Sequence, residues 1–344
     1  MERYVGLDLS RKRLNWCWVD DRCEVVDEGA VAPQPHGLAR LVLELGQDVL
    51  AVIESMTGAR FIHDQLELAG WDVRIADAQR AKGMAKLACK TDRSDARTLA
   101  QLAALDLVPE IWLPDPRVRQ ERELARFRIH LVKQRTMLKN RIHQTLMTHG
   151  IACPVSDLFG VGGRQLLERS AMPPAWREST DACLRLIADL DREIDRCAAQ
   201  ISRQQPDHPY LPLLMTVPGI GPILGYTIAA EIGDIHRFAT PRKLVGYTGL
   251  CPRVHQTGER DHRRSLSKRG PETLRWALIE AAQHACRHPL YRERYQPNKT
   301  RLGKQRGAKL AQVDIARRLA EAIWHMLTTN QPFAPAGATT PLAA

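Results

Sequence analysis

Three short apolar runs open the chain, and helical and strand-like segments alternate after them; this order constrains the fold more than any other feature. Residues 4–9, 14–19 and 24–31 read as strands, so a meander comes first. A helix over 36–46 follows, then a buried strand over 48–54, a helix over 59–69 closed by Gly70, and a strand over 71–75. Strands first and α/β alternation afterwards describe an α/β sheet. Residues 91–105 form a further helix, with Thr91 as its cap, Asp92 and Asp95 at the positive end of its dipole, and Leu99, Leu102 and Leu105 as its apolar stripe. The segment 109–116 breaks the pattern and reads as a domain boundary.

Beyond it the periodicity is helical. Leu124, Phe127, Leu131, Leu138, Ile142 and Leu146 recur at three-to-four spacing through 117–148, and Ile187, Leu190, Ile194, Cys197 and Ile201 repeat the pattern. Joined through the Pro- and Gly-containing stretch 153–174, they form either an antiparallel coiled-coil arm or two helices of one bundle. A second compact region after Pro206 holds helices near 223–232, 242–247, 272–286 and 308–327. The Ala-, Pro- and Thr-rich tail 331–344 reads as disordered.

With 44% hydrophobic and 26% charged residues, the chain of 344 has enough apolar surface to fold, which excludes global disorder. A basic leader followed by an apolar core is missing at the N-terminus, and no apolar run reaches about 18 residues, so secretion and membrane spanning are disfavoured. Eight cysteines without a C-x-x-C pair read as reduced, mostly buried thiols.

The net charge of +11 is concentrated: residues 236–310 carry 18 Lys or Arg against five Asp or Glu, a local excess of +13. Such an excess points to nucleic acid, because neutralising phosphates releases counterions; the alternative is a merely basic enzyme surface. Within this stretch residues 260–270 form a dense basic loop, and Tyr247, Trp276, Tyr291 and Tyr295 offer rings that pack or stack. His284 and His288 lack the companions of a zinc site and belong to helix packing or phosphate contact.

Four carboxylates stand out. Asp8 lies in the first strand, Glu54 ends a buried strand, and Asp92 and Asp95 share one helical face, so all four can meet at one sheet edge. Taken singly, they also suit a strand-end turn, a cap and a helix start. Together they repel unless cations occupy the cluster, and Mg²⁺, which prefers hard oxygens and phosphate, answers that need. Their order matches the ribonuclease-H-like nuclease arrangement. Farther on, Val217-Pro218-Gly219-Ile220-Gly221-Pro222 precedes a helix, so Gly219 and Gly221 either let backbone N–H groups approach an anion, as in helix-hairpin-helix DNA-binding elements, or simply make a tight turn.

In combination, Asp8, Glu54, Lys90-Thr91-Asp92-Arg93-Ser94-Asp95-Ala96, Val217-Pro218-Gly219-Ile220-Gly221, Tyr247-Thr248-Gly249-Leu250-Cys251-Pro252-Arg253 and Leu266-Ser267-Lys268-Arg269-Gly270 resemble the DEDD transposases of the insertion sequence 110 family. The resemblance runs in order from Tyr4 to about Leu327. It implies an α/β plus α fold: a RuvC-like, ribonuclease-H-like domain over 1–115, a coiled-coil linker over 116–206, and a mostly helical C-terminal transposase domain over 207–330. It also implies a cytoplasmic bacterial recombinase, with donor and target DNA and a structured bridge RNA as partners and a tetramer built from dimers as the assembly.

In that family the acidic quartet holds Mg²⁺, and a serine hydroxyl of the C-terminal domain attacks a DNA phosphate to give a covalent intermediate. This chain departs from the pattern: His255-Gln256-Thr257-Gly258 places Thr257 at the nucleophile position. Threonine offers the same hydroxyl with a stiffer χ1. The expected catalytic residues are therefore Asp8, Glu54, Asp92, Asp95 and Thr257, with Arg253, Arg263, Arg264, Lys268 and Arg269 steadying phosphate charge. Ser265 and Ser267 are alternative hydroxyls, Ser267 falling where the family has a structural Ser or Thr. A hydrolytic RuvC-like nuclease and a catalytically decayed binding protein are the competing readings.

Overall fold

Alternating apolar residues build the N-terminal sheet from its centre outward. β1 (Arg3–Leu9), β2 (Leu14–Val19), β3 (Val25–Val31), β4 (Val49–Glu54) and β5 (Asp72–Ala76) pair in the order β3-β2-β1-β4-β5. The first three form an antiparallel meander, whereas β1–β4 and β4–β5 are parallel. The computed structural model describes residues 3–84, 92–257, 260–303 and 306–334, with the side chains of 92, 93, 253–257 and 260–265 outside the description. The expected cap Thr91 and the tail from 335 lie outside the described residues. The chain divides into two units, Met1–Leu113 and Pro114–Ala344.

Both faces of the sheet are covered, as the run of apolar residues in β4 requires. Val5, Leu7 and Ile53 pack against α1 (Pro35–Leu45) and α2 (Ala59–Leu68) through Leu41, Ile62 and Leu66. Each such side chain contributes about 1.5–3 kcal/mol by leaving water. On the opposite face, α3 (Ala78–Met84) and α4 (Asp92–Ala104) cover Tyr4 and Val52 through Ala81, Leu99 and Leu102, while Ala96 and Ala100 cover Cys17 and Val19. The closest approach is at Gly6. A methyl group there would overlap the Ala96 carbonyl oxygen and crowd the Ala100 backbone nitrogen, so the absent side chain is what seats α4 on the sheet.

In the second unit, α5 (Pro116–Thr148) starts at an Asp115 cap whose Oδ1 accepts the Val118 N–H at 3.0 Å. After α6 (Val161–Arg169), α7 (Pro174–Gln204) returns along α5. Leu131 meets Ile194 and Cys197, Ile142 and Leu146 meet Cys183 and Ile187, and Arg135 pairs with Asp191 at 2.7 Å, which makes the two helices antiparallel. Next come α8 (Leu211–Leu214), α9 (Pro222–Ile232) and α10 (Pro241–Thr248). The ribbon β6 (Pro252–Thr257) and β7 (Arg260–Leu266) precedes α11 (Glu272–Ala285), α12 (Pro289–Arg301) and α13 (Gly307–Thr329).

Ile228, Leu278, Ala281, Ile315, Leu319 and Ile323 form the centre of this core. It is tied to α5 by charge. The Glu231 carboxylate, fully buried at the end of α9, accepts from Arg126 Nε at 2.7 Å and from its NH2 group at 2.9 Å, while Arg122 donates to the Ala230 and Glu231 carbonyls. This hydrogen bond leads the causes that hold the Arg126 guanidinium above its ordinary value. Removing Arg126 would leave the buried Glu231 carboxylate without its two-pronged partner, and because the guanidinium itself is half-exposed the cost falls below the roughly 3–5 kcal/mol of a fully buried pair.

One expectation is corrected. The basic stretch from 260 is a strand as far as Leu266, antiparallel to β6, and not a loop. Charges on both sides of a two-stranded ribbon hide the apolar alternation that marks a strand; backbone pairing holds it instead. Helices α3, α6, α8 and α12 were not anticipated.

Two outcomes follow from this packing. Gly6→Ala should destabilise the protein by about 1–3 kcal/mol in urea unfolding, since backbone rather than a pliant side chain meets the new methyl. Among the described cysteines, Cys17 and Cys286 are buried and Cys153 is exposed; burial pushes the Cys17 and Cys286 thiols up to about 11, so both stay protonated at pH 8. Iodoacetamide at pH 8 should label Cys153 in the native protein and reach Cys17 and Cys286 only after unfolding, as read by peptide mass spectrometry.

Candidate active site

Period-two geometry puts Asp8 on the same sheet face as Tyr4 and Gly6, the face under α4. Glu54 likewise follows Leu50 and Val52 on that face. The last registered pair of β1 and β4 is Leu7 with Ile53, so one step on, Asp8 and Glu54 come level at the C-terminal ends of neighbouring parallel strands. Strands in a sheet lie about 4.8 Å apart, close enough for both carboxylates to share one cation.

The start of α4 completes the edge. Ala96 and Ala100 lie across Gly6, and Ala103 and Ala104 cluster with Tyr4, so the helix runs back along β1 and its first turn stands at the Asp8 end. Asp95 is half-buried on the stripe that continues as Leu99 and Leu102, the stripe facing β4. Asp92 is the first residue of the helix, and its side chain lies outside the description. Among the described side chains, no three His, Cys, Asp or Glu groups close into a metal cage.

Lys82 had escaped notice in the sequence. Asp77 accepts the N–H groups of Gln79 and Arg80 and so caps α3, and the Ser55 hydroxyl accepts the Ala78 N–H. The helix then delivers the Lys82 ammonium to 3.6 Å from Glu54 Oε1. Positive charge is thus already drawn to the acidic edge. Hard oxygen donors that attract a cation fit a divalent ion, and the fit is one of chemistry: carboxylates only, with no thiolate or imidazole among them.

In the second unit, Thr257 is the last residue of β6 and pairs with Arg260, the first residue of β7. Arg253 on β6 and Arg263 and Arg264 on β7 ride the same ribbon; their side chains, like that of Thr257, lie outside the description. The base of the ribbon is described in full. Buried Thr248 donates its hydroxyl to the Val245 carbonyl at 2.7 Å and accepts the Leu250 N–H. Backbone N–H groups of Ser267 and Lys268 donate to the Cys251 and Gly249 carbonyls at 2.8 and 3.1 Å.

Two arginines lock this base. Arg275 of α11 donates to the Thr248 and Lys268 carbonyls at 3.3 and 3.2 Å, and Arg317 of α13 donates through Nε to the Leu250 carbonyl at 2.8 Å. Sequence reasoning missed both, since a guanidinium spent on backbone carbonyls looks like any other charge on a helix. Ser267 donates its hydroxyl to the Gly249 carbonyl at 3.4 Å, which places it in the seat of the ribbon. Lys268, with a φ of 52°, and Arg269 are exposed beside it.

The glycine turn divides its roles. Gly219, with a φ of 89°, packs on α11, where a side chain would crowd the Ala281 carbonyl and the Ala285 nitrogen. Gly221 is exposed, with open space where a side chain would lie, and stands at the start of α9. Of the rings, Tyr291 is buried, Tyr247 is covered by the Arg237 guanidinium at 4.3 Å, and Trp276 and Tyr295 reach the surface. His284 lies 3.8 Å from Glu280, and His288 occupies the N-cap position of α12 without a side-chain capping hydrogen bond.

Comparison with known proteins adds independent evidence. Residues 5–150 match the DEDD transposase family of IS110 elements, and residues 211–296 match the family described as transposase IS116/IS110/IS902. The chain is 24% identical to the transposase for insertion sequence element IS1111A of Coxiella burnetii, over 96% of this chain and 91% of that protein. It is 26% identical to a probable family 20 transposase of Pseudomonas aeruginosa, over 96% and 98%, and 25% identical to the pilin gene-inverting protein of Moraxella lacunata, over 96% and 97%. With an acid-edged β3-β2-β1-β4-β5 sheet matched by the first family and a helical region matched by the second, the chain belongs to the IS110 family of transposases, DEDD-type DNA strand-transfer enzymes.

Proposed function

We propose that the chain is a Mg²⁺-dependent site-specific recombinase of an insertion sequence, in which Asp8, Glu54, Asp92 and Asp95 hold the metal and the Thr257 hydroxyl joins covalently to DNA. The observation that carries the reading is the level placement of Asp8 and Glu54 beside the first turn of α4. A DEDD-type domain implies a divalent metal. Mg²⁺ suits four carboxylates and, when bound, supplies Lewis-acid stabilisation of charge on phosphate oxygens.

The protein's own part is nucleophilic. Thr257 Oγ1 forms a bond to phosphorus as one P–O bond of the DNA breaks, and the hydroxyl proton leaves with the departing oxygen. The phosphothreonine ester keeps the bond energy, so attack by a strand-terminal hydroxyl rejoins DNA and restores threonine without ATP. Arg253, Arg263, Arg264, Lys268 and Arg269 gather phosphates around the ribbon, and Gly221 leaves the start of α9 open to another. Rejoining is favoured over hydrolysis by the relative named as a gene-inverting protein, because inversion cannot end in broken strands.

Donor and target DNA are the substrates, a structured bridge RNA selects them by pairing, and a tetramer built from dimers brings the sites together. The family resemblance supports the RNA and the tetramer. The +13 stretch supports a second nucleic acid, since a protein guided in this way reads backbone and shape rather than sequence.

Incubation with bridge RNA, both DNAs and Mg²⁺ should yield an SDS-resistant adduct that mass spectrometry maps to residue 257. Thr257→Ser should keep the adduct, Thr257→Ala should abolish it, and Asp8→Asn should lower its formation at least about 100-fold. Full cleavage by Thr257→Ala would instead identify a hydrolytic nuclease, and wild-type binding without cleavage a decayed transposase.

Arg275 and Arg317 act as positioning residues for the ribbon. Arg275→Ala should slow adduct formation about 100-fold, as a displacement near 1 Å does, with DNA affinity unchanged and partial recovery in Arg275→Lys. Equal loss of affinity and rate would mean that the arginine only supports the fold.

A further inference from the structure

Outside the ribbon and the acidic edge, the second unit has a polar cleft where the end of α11 meets α12 and α13. Its volume is about 380 Å³, within the range of small-ligand clefts. Gln283, Arg287, Arg292, Tyr295, Gln296 and Gln312 line it, with Cys286 as a buried floor, and no carboxylate is among the lining residues.

The guanidiniums are unspent. Arg287 and Arg292 are exposed, and neither side chain makes an ion pair or hydrogen bond among the described residues. Arg294, two residues along the same helix, is by contrast held by Asp314 at 2.6 Å. Tyr295 is half-buried, its back in the apolar core, and the Lys299 ammonium lies 5.9 Å from its ring centroid. The cleft therefore combines cations for phosphate, an aromatic face for stacking, and three primary amides that each donate and accept. Glutamine amides match the hydrogen-bonding edge of a base, and aromatic rings take any base by its face.

We infer that this cleft captures one unpaired nucleotide of a nucleic-acid strand, stacked on Tyr295, with its phosphate between Arg287 and Arg292. A paired base in a duplex has both faces stacked and its pairing edge occupied, so the cleft distinguishes an unpaired or flipped nucleotide from a helix. The inference rests on the chain being a nucleic-acid enzyme, and it is independent of the metal and of Thr257.

The test is fluorescence anisotropy on the full chain with a single-stranded DNA 12-mer, the same RNA 12-mer, a perfect duplex, and that duplex with one extra unpaired nucleotide. Tyr295→Leu and the double variant Arg287→Ala/Arg292→Ala should weaken binding to the single strands or the bulged duplex about tenfold while leaving the perfect duplex unchanged. Tyr295→Phe should bind as the wild type, which controls for folding because it keeps the ring. A loss confined to the RNA or to the DNA 12-mer names the source of the nucleotide. Ultraviolet crosslinking of a 5-iodouracil at the bulge should map to α12. Equal losses on duplex and single strand, or no loss in Tyr295→Leu, would overturn the proposal and leave a general basic surface. Adduct formation at residue 257 is read separately, so the failure of either reading leaves the other standing.

Discussion

The contact that organises the first unit is backbone against backbone: α4 lying on β1 at Gly6. Because no side chain intervenes there, the first turn of the helix is held to the C-terminal ends of β1 and β4. Parallel pairing does the rest, bringing Asp8 level with Glu54 on the face that the helix covers. The proposed metal site is thus a product of one missing methyl and one strand register. Neither is itself acidic, yet both determine where the acids stand.

The second unit solves a different problem, that of holding a charged ribbon on an apolar core. Charged strands gain little from burial, so β6 and β7 are anchored at one end by hydrogen bonds to the Thr248, Leu250 and Lys268 carbonyls. Arg275 and Arg317 come from α11 and α13, helices whose other faces lie in the core, so the rigidity of the core passes to the base of the ribbon. Thr257 stands at the opposite end of the ribbon, paired with Arg260, while Arg253, Arg263 and Arg264 lie along the strands between that end and the base. The same logic recurs at Glu231, where α5 is fixed to α9 by a buried carboxylate and two arginines.

Much of this was legible beforehand, for identifiable reasons. Strands β1, β2 and β4 announce themselves because their apolar residues meet core on at least one face, and α5 and α7 because each repeats an apolar stripe. β7 did not, since Arg260, Asp261, His262, Arg263 and Arg264 carry no alternation to read. α12 was hidden by its internal Pro297 and its mostly charged face. Lys82, Arg275 and Arg317 were invisible for a third reason: their partners are Glu54 and backbone carbonyls distant in sequence, and nothing local distinguishes them from solvated cations.

By itself, the sequence determined the five N-terminal strands and the long helices, the acids at the ends of particular elements, the threonine in place of a serine, and the concentration of positive charge between residues 236 and 310. These are local properties, set by side-chain type and spacing. Only the tertiary structure decided that Asp8 and Glu54 are neighbours, that Gly219 serves packing while Gly221 stays open, and that Arg287 and Arg292 remain unspent while Arg294 is paired. The reason is physical: these facts depend on register and on close contacts between distant segments, and such contacts exist only once the cores have formed.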